Sequence, residues 1–92
     1  MLMTEEEKHL VQGCLRENRT IQRRVWDLYS VKAYRACLEA SGDKFFSEEG
    51  VLDGFVTVYD TIGKFKGEAS LEDWIIDICI KETKKQQNKK KR

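Results

Sequence analysis

Apolar residues return along this chain at spacings of three and four, the period of helices packed on one side, and they do so in four separate stretches. At about 100° per residue, Leu10 and Cys14 share a face, with Val11 and Leu15 beside them. Thr4 followed by Glu7 forms a capping box, and acids at positions 5 to 7 suit the positive end of a helix dipole, so a first helix is expected from about Glu5 to Glu17. Asn18 and Thr20 break and restart the chain. A long second helix then spans about Ile21 to Ala40, with Ile21, Val25, Leu28, Tyr29 and Ala36 inward, and Ser41, Gly42 and Asp43 end it. Phe45 and Phe46 are adjacent and cannot share one stripe, so they are expected to plug the bundle's end from the connection. Ser47 offers an N-cap for a third helix from about Glu48 to Ile62, whose inner face is Val51, Phe55, Val58, Tyr59 and Ile62. A loop bearing Gly63 and Gly67 leads to Ser70, a cap for a fourth helix from about Leu71 to Lys85 with Leu71, Trp74, Ile75, Ile78 and Cys79 inward.

Two features do not fit a plain bundle. Gly50 and Gly54 each cost about 1 kcal/mol relative to alanine inside a helix, so either a neighbouring backbone comes close or the first turn is irregular. Ile76 and Ile80 lie roughly 140° to 180° from the core stripe of the fourth helix. Either another element covers them or they form an interface for a partner or a second copy.

Ninety-two residues hold one small, thin core, and with no proline and a helical period throughout, the expected fold is an all-α four-helix domain over residues 1–85 with a basic tail over 86–92. Trp26, Phe55 and Trp74 should supply much of the burial. Cys14, Cys37 and Cys79 are scattered at helical spacing, which reads as reduced core thiols and not a metal or disulfide set. His9 has no partner in a recognisable motif and is read as a surface residue. No cofactor is expected. No apolar run approaches about 18 residues and the N-terminus is acidic, so the expectation is a soluble, cytoplasmic protein.

Near-neutral net charge conceals a split. Seven of the 17 basic residues lie in the last twelve positions, among them Lys81, Lys84 and Lys85, against the single acid Glu82. Such a tail is either a footprint for a polyanion or a solvated terminus. On the third helix Glu49, Asp53 and Asp60, with Val56 among them, fall in one narrow sector. This acidic ribbon is either a solvated face or a docking surface for a basic helix.

The order and spacing of these parts resemble region 2 of bacterial RNA polymerase sigma factors, the extracytoplasmic-function type above all. The resemblance rests on LVQGCLREN (Leu10 to Asn18), on an aromatic-x-x-tyrosine pattern at Trp26 to Tyr29, and on a loop similar to F-[RK]-G-x-[AS]-S with a following tryptophan, here Phe65, Lys66, Gly67, Ser70 and Trp74. It implies a non-enzymatic transcription initiation module whose third helix docks on the clamp helices of core RNA polymerase. The family's docking motif, D-x-x-Q-[ED]-x-F, falls on Glu49, Leu52, Asp53 and Phe55, with Leu52 in the glutamine's place; Asp60 extends the ribbon. The loop and fourth helix would engage the melted −10 strand of promoter DNA through Lys64, Phe65, Lys66, Ser70, Lys81, Lys84 and Lys85. Ile76, Asp77 and Ile80 stand where the family has a basic and polar run. The alternative is an interaction module on the same fold, binding an anti-sigma-like regulator or itself through Ile76 and Ile80.

Overall fold

A side-chain oxygen opens each of the four α-helices. In the computed structural model, which describes residues 3–90 and side chains as far as Lys89, α1 (Glu5–Leu15) starts at the complete Thr4/Glu7 capping box. It ends where Glu17 turns left-handed, with φ 57°. Asn18 caps α2 (Arg19–Ser41) through a 3.1 Å bond accepted from the Ile21 N–H. Gly42 closes α2 in the left-handed region, φ 71°, where a side chain would be strained. A single residue later Asp43 caps α3 (Lys44–Thr61), accepting from Phe46 N–H at 2.8 Å. A 3-10 turn (Ile62–Lys64) follows, and α4 (Leu71–Lys90) begins at Ser70, whose Oγ accepts from Asp73 N–H at 3.0 Å.

The four-helix, all-α expectation holds, and several local expectations do not. The third helix starts at Lys44 and not at Glu48. Ser47 is no cap: it is fully buried inside the first turns and its Oγ donates to the Asp43 carbonyl at 2.7 Å. Phe45 and Phe46 therefore belong to the helix, edge to face at 5.6 Å, with Phe45 59% exposed instead of plugging the end. The fourth helix passes its expected end at Lys85 because Gln86 donates to Asp53 of α3, and Gln87 to the Ser41 carbonyl of α2 at 3.1 Å. The basic tail is thus helical through Lys90, and Lys91 and Arg92 lie outside the described residues.

The core contains Leu10, Val11 and Cys14 of α1, Val25, Ala33 and Cys37 of α2, Val51, Phe55 and Val58 of α3, and Leu71, Ile75 and Cys79 of α4, with Ile62 and Phe65 between the last two. Leu15 and Leu28, expected inward, are exposed, and Ala36 is only half-buried where Ala33 is buried fully. The buried stripe of α2 drifts because its start meets α1, where Ile21 lies on Gly13, and its end lies along α4. Trp26 and Trp74 are half-buried, so Phe55 is the largest aromatic of the interior together with Phe65.

The glycines of α3 face α4 at very close range. A Cβ on Gly50 would lie 2.7 Å from Thr83 Cα, and one on Gly54 would lie 2.9 Å from Cys79 Cα. Backbone approach, not an irregular turn, accounts for both residues. Thr83 is fully buried there and its Oγ1 donates to the Cys79 carbonyl at 2.9 Å, leaving no orphaned hydroxyl.

Gly54→Ala should therefore destabilise the domain by about 1 to 3 kcal/mol in urea unfolding, through overpacking against a backbone atom that cannot yield. A solvated helix glycine would instead give a gain of about 1 kcal/mol on the same substitution, so the sign decides.

A second outcome concerns alkali. Burial first, then the Cys14 and Asp27 charges, push the Tyr59 hydroxyl from 10.0 up to about 12, and burial first, then Cys37 and Glu82, push the Cys79 thiol from 9.0 up to about 12. Both groups fold in their neutral forms. Their contribution is present in full below the unfolded values and is lost as pH rises toward 12. Stability should fall through this window, and Tyr59→Phe should flatten the part above pH 10; an unchanged slope would show that Tyr59 ionises freely in the fold.

Candidate functional site

The outer face of α3 carries the residues expected to meet a protein partner. Leu52 and Val56 are 55% and 61% exposed, Asp60 is exposed, and Glu49 and Asp53 are half-buried. Asp53 is already engaged, since it accepts the Gln86 amide of α4. The acidic ribbon is therefore bordered by α4 and not isolated in solvent. Phe55 sits on the other side of the helix, 2% exposed, edge-on to Trp26 at 4.8 Å and to Tyr59 at 6.1 Å. It cannot touch a partner directly. What it does is brace Trp26, which lines a groove between α2 and α3.

That groove, about 430 Å³, is walled by Trp26, Val31 and Tyr34 from α2 and by Glu48, Val51 and Leu52 from α3. Val31 is 57% exposed at its lip. Helical spacing in the sequence hid it, because Val31 and Leu52 belong to neither core stripe and only the packing of the two helices brings them together. Tyr59 fixes that packing by donating its hydroxyl to the Gln22 carbonyl at 2.7 Å.

The loop residues divide into two groups. Phe65 is buried against Trp74, ring centroids 5.4 Å apart, and Ser70 spends its oxygen as the cap of α4. These two serve the fold. Lys64 and Lys66 are exposed. Lys66 donates from Nζ to the Gly63 carbonyl at 3.2 Å, and its backbone N–H donates to Glu68 at 3.1 Å. The backbone N–H groups of Glu68 and Lys66, then the Lys66 charge, hold the Glu68 carboxyl below its ordinary range. Gly67 supplies the left-handed turn, φ 85°, that lets the segment double back.

On α4 Lys81 pairs with Asp77 at 3.1 Å, Lys85 pairs with Glu82 at 3.2 Å, and Lys84 is exposed. The Asp77 and Lys81 charges thus offset one another at the site where the resemblance implies DNA contacts. Ile76 and Ile80 are half-buried against the core, on the flank where Glu72 reaches Lys32 and Gln87 reaches Ser41 of α2. Helix α2 lies along that side, so the pair offers a partner much less surface than the helical wheel implies.

Sequence reasoning found Glu7 only as half of the capping box. Besides closing the capping box, its second oxygen accepts the Leu71 N–H at 2.8 Å, fastening the start of α1 to the start of α4 across the whole chain. No local pattern encodes such a contact. The thiols are free and buried; burial raises Cys14 and Cys37 as well as Cys79, which suppresses thiolate at neutral pH. His9 is exposed. Among the described residues no cluster of His, Cys, Asp and Glu could hold a metal ion, and no helix is long and apolar enough to cross a membrane.

No protein-family model, curated protein or solved structure matches the chain.

Because Glu7 ties α1 to α4, Glu7→Ala should cost about 1 to 3 kcal/mol and speed amide hydrogen exchange at Leu71 more than at the centre of α3. Uniform protection loss along the chain would mean that the bond does not hold the loop.

Proposed function

We propose that this chain is a transcription initiation module of the sigma region 2 type, docking on core RNA polymerase through α3 and the α2–α3 groove and meeting single-stranded promoter DNA with the loop and α4. Such a module works in the bacterial cytoplasm. The observation that supports it best is the groove: an apolar channel with Glu48 on its wall and Glu49 and Asp60 further round the same helix, on the element where the resemblance puts polymerase docking. An apolar centre with charges at its edge suits a helix that is greasy on one side and basic beside it. Leu52 fits this picture in its own way. It replaces an amide's hydrogen bonds with buried area, so docking relies more on the hydrophobic effect and less on polar geometry.

The nucleic-acid half of the reading has narrower support. Lys64, Lys66 and Lys84 are exposed, whereas Lys81 and Lys85 sit in ion pairs and Phe65 and Ser70 are committed to the fold. Strand binding on this surface is dominated by charge and falls steeply with salt.

Titration with a polymerase clamp-helix fragment tests the docking. Leu52→Asp and Val31→Asp, both at exposed sites, should each weaken binding about tenfold or more while the helical circular dichroism stays constant. Glu48→Lys should mainly slow association. Unchanged affinity in the two aspartate variants, or no binding by the parent chain, would remove the docking role.

A further inference from the structure

Among the described residues six large apolar side chains are exposed, and five of them, Leu28, Val31, Phe45, Leu52 and Val56, lie on the outside of α2 and α3. Their spacing is regular. On α2 the outward positions Arg24, Leu28, Val31 and Arg35 recur at four, three and four. On α3 Phe45, Glu49, Leu52, Val56 and Asp60 recur at four, three, four and four. This is the period of helices that pack on further helices, and among the described residues none covers this side. We infer that the face pairs with the same face of a second copy of this chain, about a two-fold axis parallel to α2 and α3. The pair would cover the surface assigned above to polymerase, so self-association and docking exclude one another. That exclusion rests on the docking reading; the pairing itself does not.

Charge selects this occupant. Helices α2 and α3 run antiparallel from the tight turn at Gly42, and the Tyr59 hydroxyl on the Gln22 carbonyl fixes their register. Val31 and Leu52 accordingly wall the same groove. Within about one helical turn, Arg35 is level with Glu49, Leu28 with Val56, and Arg24 with Asp60. The face thus has an apolar centre, and at each end a cation on α2 beside an anion on α3. A two-fold axis along the helices keeps these levels and lays α2 of one copy over α3 of the other. Arg35 then meets Glu49 of the second copy, Arg24 meets its Asp60, and Val31 and Leu28 lie on its Leu52 and Val56. Every contact is made twice. A basic helix seated in the groove answers the acids of α3 alone, whereas a second copy answers both helices.

The charges are available for these contacts. Among the described residues Arg35, Glu49 and Asp60 enter no ion pair. Arg24 lies 3.6 Å from Glu6 with both side chains more than half exposed, so an acid of the second copy replaces that contact without stranding a buried group. Asp27, on the same side of α2, is already held by Arg23 at 3.3 Å. The stripe from Phe45 to Asp60 is about 22 Å long, and two helices side by side are roughly 20 Å across, which is the small end of specific interfaces. The dimer is therefore reversible and forms in the micromolar range, not an obligate one.

Sedimentation velocity on the full chain, from low micromolar to submillimolar concentration, should show a monomer that becomes a dimer. Arg35→Glu alone and Glu49→Arg alone should each weaken dimerisation about tenfold or more, since each sets like charges opposite one another at two symmetry-related contacts. Mixing the two variants should restore a dimer to within about threefold of the parent affinity, because opposite charges then meet at both contacts. Circular dichroism of each variant checks that it is folded, and Arg24→Glu mixed with Asp60→Arg repeats the exchange at the other end of the face. A parent that stays monomeric at every concentration, single variants that dimerise like the parent, or mixtures that fail to recover would each overturn the pairing. Adding the clamp-helix fragment separates this inference from the docking, because it should dissociate the parent dimer. A dimer with no affinity for the fragment keeps the pairing and removes the docking, and a parent that binds the fragment but never dimerises does the reverse. A fragment bound to an intact dimer would overturn the shared face.

Discussion

The structure depends on the contact between α3 and α4 at two glycines. Gly50 lies on Thr83 and Gly54 on Cys79, with Cα atoms close enough that neither site admits a Cβ. Each glycine weakens α3 by about 1 kcal/mol in isolation, and the contact offsets that by letting two helices touch along their backbones, where dispersion contacts are dense. The line Leu71, Ile75, Cys79 and Thr83, one residue in four, is the side of α4 that enters this seam, and all of it is fully buried. Once α4 is fixed on α3, its flanks reach α2 through Glu72 to Lys32 and Gln87 to Ser41, and its first N–H reaches α1 through Glu7. A thin core is thereby joined by bonds that run from one helix to three others.

Much of this was legible in the chain because it is local. Thr4 with Glu7, and Ser70, are caps whose partners lie three residues away, and the sequence names them directly; Asn18, expected only as a break, caps α2 in the same way, two residues before the expected start at Ile21. Asp43 and Ser47 were harder, since both are cap residues with acids or good helix formers behind them. The tie is broken by Gly42: a left-handed glycine ends α2 so abruptly that the next residue is already free to start α3, and Ser47 is carried into the interior. Thr83 was illegible for another reason. It sits in a basic run, and only its back-bond to Cys79 and the bare glycine opposite make a buried threonine acceptable. The end of α4 depends on Asp53 and Ser41, far away in the chain, and no local signal marks it.

The candidate surfaces were legible to a lesser degree than the core, and the physics explains the difference. A core stripe is written on one helix, whereas a groove is written on two, and its residues show no period of their own. Val31 and Leu52 read as ordinary exposed aliphatics until α2 and α3 are packed. Lys8 and Gln12 of α1 likewise come beside Lys66 of the loop only through the packing of the two elements. Charge was also redistributed by folding, since Asp53 turned inward to Gln86 and Lys81 found Asp77, so the acidic ribbon and the basic run are each weaker in space than in sequence.

These placements bear on what a sequence resemblance can carry. Of the residues that make the chain look like sigma region 2, Phe55 and Phe65 are core, Gly67 is a left-handed turn, Ser70 is a helix cap and Trp74 packs on Phe65. They specify a shape, and a shape transfers between proteins on burial and backbone geometry alone. The side chains exposed to a partner are mostly others: Val31, Glu48 and Leu52 at the groove, with Lys64 and the motif's own Lys66 on the loop. Among those, Leu52 departs from the family's docking motif, and α4 departs from its basic and polar run at Ile76, Asp77 and Ile80, so a likeness of pattern fixes no binding energy. The motif residues thus describe the core, and the exposed residues around that core are the ones that any partner would meet.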